Sequence, residues 1–238
     1  TSVNKKKVIL YFWGLFVVLP IFMFFVIMIC AKTGSLGFDD LPSLQELENP
    51  KSNLASEIIT TDGKLLGKYF KENRTNVKYE DLSPYLISAL IATEDERFLN
   101  HSGIDFRGLV RAFVKLGKAG GASTITQQLA KMMFHDRKGG FINKVKQKIQ
   151  EQIIAVELEK RYPKAEILTM YLNKFDFINN AVGIKSACNV YFNKEPKDLS
   201  IQEAAMLVGM AKNPALYNPL RRPEITQTRR EVVLKQMY

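Results

Sequence analysis

A mainly α-helical domain with one small β-hairpin, preceded by a membrane-spanning helix, is the fold class this sequence predicts. Three observations carry it. Residues 8–31 contain no charged side chain and are dense in Phe, Ile, Val, Leu and Met. Two short β-prone runs, Ser56–Thr60 and Leu65–Phe70, flank a turn at Thr61-Asp62-Gly63, a hairpin signal. From Ser83 onward, apolar residues recur with helical period between Gly and Pro breaks.

The 24 residues of the apolar run span roughly 36 Å as a helix, enough for a hydrocarbon core of about 30 Å. Lys5, Lys6 and Lys7 precede it, so residues 1–7 are expected in the cytoplasm and the rest outside. A cleaved signal peptide is the alternative, but its apolar core spans about 7–15 residues. The polar segment 32–55, with Gly34, Gly37, Pro42 and Pro50, reads as a stalk, leaving 56–238 as the folded domain. The chain opens on Thr1 and not Met, as expected of a trimmed fragment.

Lys and Arg outnumber Asp and Glu by 34 to 24, a net +10. That excess draws an anionic partner (nucleic acid, membrane surface or phosphate-bearing substrate) without choosing among them. Cys30 lies in the apolar span and Cys188 in the folded part, so an internal disulfide is not expected. Two histidines and no clustered cysteines give no metal-site spacing.

Ser83-Pro84 is a cap followed by Pro at the first helical position, opening a helix over Tyr85–Phe98. Its stripe is Leu86, Ile87, Leu90, Ile91 and Phe98, with Glu94 in the middle. A carboxylate there either lines a cleft, where desolvation would favour a general base, or is a buried Glu paired with an Arg. After Gly120-Gly121, Thr124 and Gln127 have capping-box spacing and open a helix to about Phe134. Ile125, Leu129 and Met132 form its buried stripe. Thr124, Gln128 and Lys131 share a face beside an open helix N-terminus, which suits a polyanion such as a diphosphate. A solvated polar face is the alternative.

Gly139-Gly140 precedes an amphipathic run over Phe141–Arg161. Ile142, Val145, Ile149, Ile153 and Val156 are its expected core stripe. Lys144, Lys148 and Glu151 fall on the far face, where, taken alone, an ordinary surface ion-pair ladder is the leading reading. Pro163 starts a helix through Leu172, Ser200 and Glu203 form a second capping box for a helix to about Lys212, and a last helix begins near Thr226.

Taken in order, these segments resemble one family. Glu94-Asp95-Glu96-Arg97-Phe98-Leu99-Asn100-His101-Ser102-Gly103 resembles the E-D-x-x-F-x-x-H-x-G motif of the peptidoglycan glycosyltransferases (glycosyltransferase family 51). Gly121-Ala122-Ser123-Thr124-Ile125-Thr126-Gln127-Gln128, with Lys131 following, is similar to its G-x-S-T-I-T-Q-Q. Gln147-Lys148-Ile149-Gln150-Glu151 is similar to R-K-x-x-E. Lys164 to Asn173 resembles K-x-x-I-L-x-x-Y-L-N, and Arg229 to Leu234 resembles R-R-x-x-V-L. Such domains occur in class A penicillin-binding proteins and as monofunctional enzymes. Three departures stand out: Gln147 for the usual Arg, Lys174 to Asn179 for a Tyr/Gly-containing stretch, and Asn193 where Gly is common.

The resemblance implies a lysozyme-like helical domain with a small membrane-proximal jaw. It also implies polymerisation of lipid II into glycan strands at the outer face of the cytoplasmic membrane, by inverting transfer with release of polyprenyl diphosphate. Glu94 would deprotonate the acceptor hydroxyl, while Glu151, the second catalytic carboxylate, would organise the cations or help hold a divalent cation such as Mg or Mn. Lys131, Lys148 and Arg111 would neutralise the departing diphosphate. Asp95, Phe98, His101, Ser123, Thr124 and Gln128 complete the substrate-binding set. No organic cofactor and no nucleic acid are implied; lipid II, the growing glycan, membrane lipids and other cell-wall synthesis proteins are the partners. A glycan hydrolase of the lysozyme kind and a non-catalytic anchored scaffold are the alternatives.

Overall fold

The computed structural model describes residues 76–114, 123–134 and 140–238, the backbone of 56–59 and 65–69, and Gly14 within a helix. The expected stalk and, Gly14 apart, the expected span at 8–31 lie outside the described residues. Among the described residues, no helix is long and apolar enough to cross a membrane.

The hairpin forms where the β-prone runs place it. β1 (Ser56–Ile59) pairs antiparallel with β2 (Leu65–Tyr69), with a register irregularity between Ile58 and Ile59. Apart from an isolated antiparallel bridge between Asp176 and Val182, all else that is regular among the described residues is helical. α1 is Pro84–Glu94, α2 Phe106–Val114, α3 Ile125–Phe134 and α4 Phe141–Arg161. α5 is Lys164–Lys174, α6 Ile184–Phe192, α7 Ile201–Ala211 and α8 Pro223–Met237. Single 3-10 turns occur at Tyr79–Asp81, Phe98–Asn100 and Pro196–Asp198.

Two packing groups share one core. α1 lies against α7 and α8, while α3 lies against α4 and α5. Leu86 and Leu90 of α1, Ile125 and Leu129 of α3, Leu158 of α4 and Tyr171 and Leu172 of α5 are all buried in the same cluster. The stripes expected on the first two helices are therefore the ones that pack.

Several expectations are corrected. The first helix stops at Glu94, four residues short of Phe98, because Asp95 leaves the helix with φ −159° and sends its carboxylate elsewhere. Phe98 is still buried, but from a separate 3-10 turn. Ser83 precedes Pro84 as expected, yet its hydroxyl does not cap: it donates to Leu199 O at 3.1 Å. On α4, Val145 is exposed, and the enclosed stretch runs from Gln150 to Ala155, including Glu151. A polar residue can be buried there because it finds polar partners, which a wheel counting only apolar residues cannot foresee. The last helix begins at Pro223, where Pro at the first position again fits.

The Ser200–Glu203 box is complete: Glu203 N–H donates to Ser200 Oγ, and Ser200 N–H donates to Glu203 Oε2 at 2.8 Å. Burial pushes the Glu203 carboxyl up, but the Lys194 ammonium and the Ser200 donors outweigh it, leaving it below its usual range. Ser200→Ala is expected to cost about 1 kcal/mol, read as a drop of roughly 2–4 °C in Tm. An unchanged Tm would show that the cap does not support α7.

Candidate functional site

The first and second motifs meet through one carboxylate. Asp95, 7% exposed, accepts the Ile125 N–H at the start of α3 (3.0 Å) and bonds His101 Nε2 (3.0 Å). The Thr124 hydroxyl, also buried, donates to Gly103 O at 2.8 Å and accepts the Gln127 N–H at 3.2 Å. Gln127 does not complete the expected capping box; its side-chain amide also donates to Gly103 O, at 3.2 Å. The residue pattern suggested an α3 N-terminus open to an anion; the structure instead has the Ile125 N–H donating to Asp95 and the Gln127 N–H to the Thr124 hydroxyl.

Behind this junction Lys164 ties in the fourth motif. Its Nζ donates to His101 O (2.7 Å), pairs with Glu159 (2.7 Å) and stands 4.1 Å from the centroid of the Phe98 ring. Glu159 also accepts from the Thr126 hydroxyl at 2.6 Å. Asp95, Phe98, His101 and Thr124, expected to bind substrate, make these internal contacts. Glu159 and Lys164 went unassigned in the sequence reading. Lys164 lay in the fourth motif, a usable signal; Glu159, on an amphipathic run rich in Glu and Lys, gave none.

Two carboxylates remain with chemistry to offer. Glu94, half-buried at the last position of α1, accepts Gln128 Nε2 on Oε2 at 2.9 Å. Glu151 on α4 pairs with Lys148 Nζ at 2.9 Å, and Lys148 also donates to Ser123 Oγ at 2.8 Å. Ser123 and Gln128 lie five residues apart around the start of α3, so one short segment serves both acidic groups. Lys131 is exposed on the same helix. Arg111 of α2 is exposed too, 4.0 Å from Glu96, a surface pair of little energetic weight. α2 is held at its start by Asp105, which accepts the Gly108 N–H at 3.0 Å and pairs with Arg97. Burial pushes the Asp105 carboxyl up, but the Arg97 guanidinium and the Gly108 N–H outweigh it and hold it below its usual value.

Glu151 is thus no member of a solvated ladder with Lys144. It is 7% exposed, and Lys148 neutralises it. Among the described residues, no group of three His, Cys, Asp or Glu could hold a metal.

Two of the three sequence departures fall where the backbone is left-handed. Asn193 caps α6 in the left-handed conformation (φ 52°, ψ 47°), which Asn tolerates better than other non-Gly residues. Ile178, Asn179 and Asn180 also have φ of 52–61°. The Tyr191 hydroxyl pins that turn by donating to Phe177 O at 2.7 Å and accepting Asn179 Nδ2 at 3.0 Å.

Comparison with known proteins agrees with the motifs. Residues 62–238 match the Transglycosylase family. The chain is 38% identical over 201 residues to penicillin-binding protein 1A of Pseudomonas aeruginosa, covering 83% of this chain and 24% of that protein. It is 38% identical over 204 residues to penicillin-binding protein 1A of Aquifex aeolicus, covering 84% and 28%. It is 35% identical over 236 residues to penicillin-binding protein 1A of Neisseria gonorrhoeae, covering 98% and 29%. The chain therefore spans about a quarter of the length of these curated relatives. With the five motifs in order and the first four interlocked around α3, the chain belongs to the transglycosylase family, the peptidoglycan glycosyltransferases.

Proposed function

We propose that this domain polymerises lipid II, a disaccharide-pentapeptide on a polyprenyl diphosphate, into glycan strands at the outer face of the cytoplasmic membrane. The supporting observation is the division of labour around α3: a carboxylate held by the neutral amide of Gln128, and a separate Ser–Lys–Glu cluster that includes Ser123. Glu94 takes the proton of the acceptor 4-hydroxyl as that oxygen attacks the donor anomeric carbon, inverting it. Lys148 and Lys131, with Arg111, meet the charge that develops on the leaving diphosphate, an electrostatic role. Glu151 aims Lys148.

The lysozyme-like fold carries the hydrolytic alternative with it, but a glycosidase needs a second carboxyl group that donates a proton to the leaving oxygen. Glu151, salt-bridged to an ammonium, is unsuited to that task. A diphosphate leaves without it. Because substrate and product both carry lipid tails, residues 8–31 are read as the anchor, with residues 1–7 cytoplasmic. The +10 net charge suits an anionic leaflet.

Labelled lipid II supplied to the full chain in vesicles should appear in long glycan. Shortening of preformed glycan without new polymer would mark a hydrolase, and neither product a scaffold. Lys131→Met should weaken binding of a polyprenyl diphosphate by roughly 10–100-fold, the worth of a hydrogen bond to a charged group, with Tm unchanged. Lys148→Met should do the same and also lower Tm, because it leaves buried Glu151 without its partner. Unchanged affinity in both would return these lysines to a solvated surface.

A further inference from the structure

Tyr171 belongs to the core by its ring and to the site by its hydroxyl. The residue is 1% exposed on α5, and its ring stacks on Phe175 at 5.7 Å between centroids. Nothing in that packing requires a hydroxyl. Yet the hydroxyl donates to Gln128 Oε1 at 3.2 Å, across 43 residues of sequence. Gln128 Nε2 then donates to Glu94 Oε2 at 2.9 Å. The three groups form a directional chain from tyrosine hydroxyl to amide oxygen, and from amide nitrogen to carboxylate.

Direction matters because an amide has two similar ends, and only its partners decide which points where. Reversed, Gln128 would set its carbonyl oxygen against the Glu94 carboxylate. The tyrosine proton, spent on Oε1, selects the other orientation. Burial, with the Glu94 charge adding to it, pushes the Tyr171 hydroxyl well above its usual range, which favours the protonated donor. Among the described residues, only Oε2 of Glu94 accepts a hydrogen bond, so the relay holds one carboxylate oxygen and leaves the other without a partner.

Building on the reading of Glu94 as base, we propose that Tyr171 is a positioning residue, acting through Gln128 to fix the Glu94 carboxylate for proton removal from the acceptor sugar. It touches neither sugar nor diphosphate. Its loss should therefore alter turnover and leave substrate affinity alone.

The experiment is a double-mutant cycle on the full chain in vesicles, with lipid II polymerisation as readout. Tyr171→Phe, which keeps the stacked ring, should lower kcat about tenfold, the worth of one hydrogen bond of about 1–1.5 kcal/mol, with KM within about twofold. In a Gln128→Ala background the same substitution should change kcat by less than about twofold, because its route is gone. Equal losses in both backgrounds, or a change confined to KM, overturn the proposal. A second readout does not depend on activity: in the detergent-solubilised chain, exchange of the Gln128 side-chain NH₂ protons, followed by 15N NMR, should be faster in Tyr171→Phe than in wild type. Unchanged exchange overturns the relay even where activity falls. A wild-type chain that makes no glycan counts against the enzymatic reading, and the exchange measurement then decides the relay alone.

Discussion

Glu94→Gln should leave the chain folded and reduce glycan synthesis by roughly 10²–10⁴-fold, the usual contribution of a positioned general base. The substitution is close to isosteric, and the Gln128 Nε2 that now donates to Oε2 at 2.9 Å can donate equally to an amide oxygen. Neither the buried stripe of α1 nor its contacts with α7 and α8 depend on the charge. Only the capacity to take a proton disappears. Initial rates of lipid II consumption by wild type and variant, beside matched melting curves, make the comparison. A folded variant retaining more than about a tenth of wild-type activity would remove Glu94 from the role of base.

Gly103→Ala should produce the largest loss of stability. Gly103 has φ +90°, and a Cβ there would lie 2.8 Å from the carbonyl carbon and oxygen of Ala155 and 2.9 Å from the nitrogen of Val156. These are backbone atoms of α4, so no side-chain rotation relieves the overlap. Backbone strain of about 1–3 kcal/mol adds to overpacking of about 1–3 kcal/mol. Gly103 O also accepts from Thr124 and Gln127, so any retreat pulls on the start of α3. A combined loss near 3–4 kcal/mol lowers Tm by about 10 °C in a domain of this size. A variant melting within about 2 °C of wild type would show that α4 gives way easily, and the close packing of the two motifs would lose its significance.

Much of this was legible in the sequence where one local rule decided the outcome. Ser200 and Glu203 announced α7, and Gly139-Gly140 announced α4 with its bounds at Phe141 and Arg161. Legibility failed where a side chain had two suitors. Ser83 stands where a cap belongs, but Leu199 O, 116 residues away, takes its hydroxyl. Asp95 looks like the continuation of a helix until the Ile125 N–H and His101 claim it. Within the site, Glu94 could be singled out because a carboxylate in an apolar stripe is conspicuous. The Tyr171 hydroxyl could not, because a tyrosine in an apolar helix reads as core. Burial of Glu151 was hidden likewise, since Lys148 at i−3 is what an exposed ladder also shows.

The occupied end of α3 bears on how the donor would respond to its medium. A diphosphate seated on main-chain amides is gripped by dipoles fixed in the scaffold, and added electrolyte disturbs it little. Here Asp95 has taken the Ile125 N–H, so the leaving group would be met by ammonium and guanidinium ends on flexible stems: Lys131 and Arg111, both exposed, and Lys148, 43% exposed at its side chain. Mobile ions compete directly with contacts of that kind, over a screening distance of about 8 Å at physiological ionic strength. Donor affinity in this enzyme would then be governed by the ionic atmosphere at the membrane surface, rising in dilute media and eroding as salt accumulates, with the folded scaffold unchanged throughout.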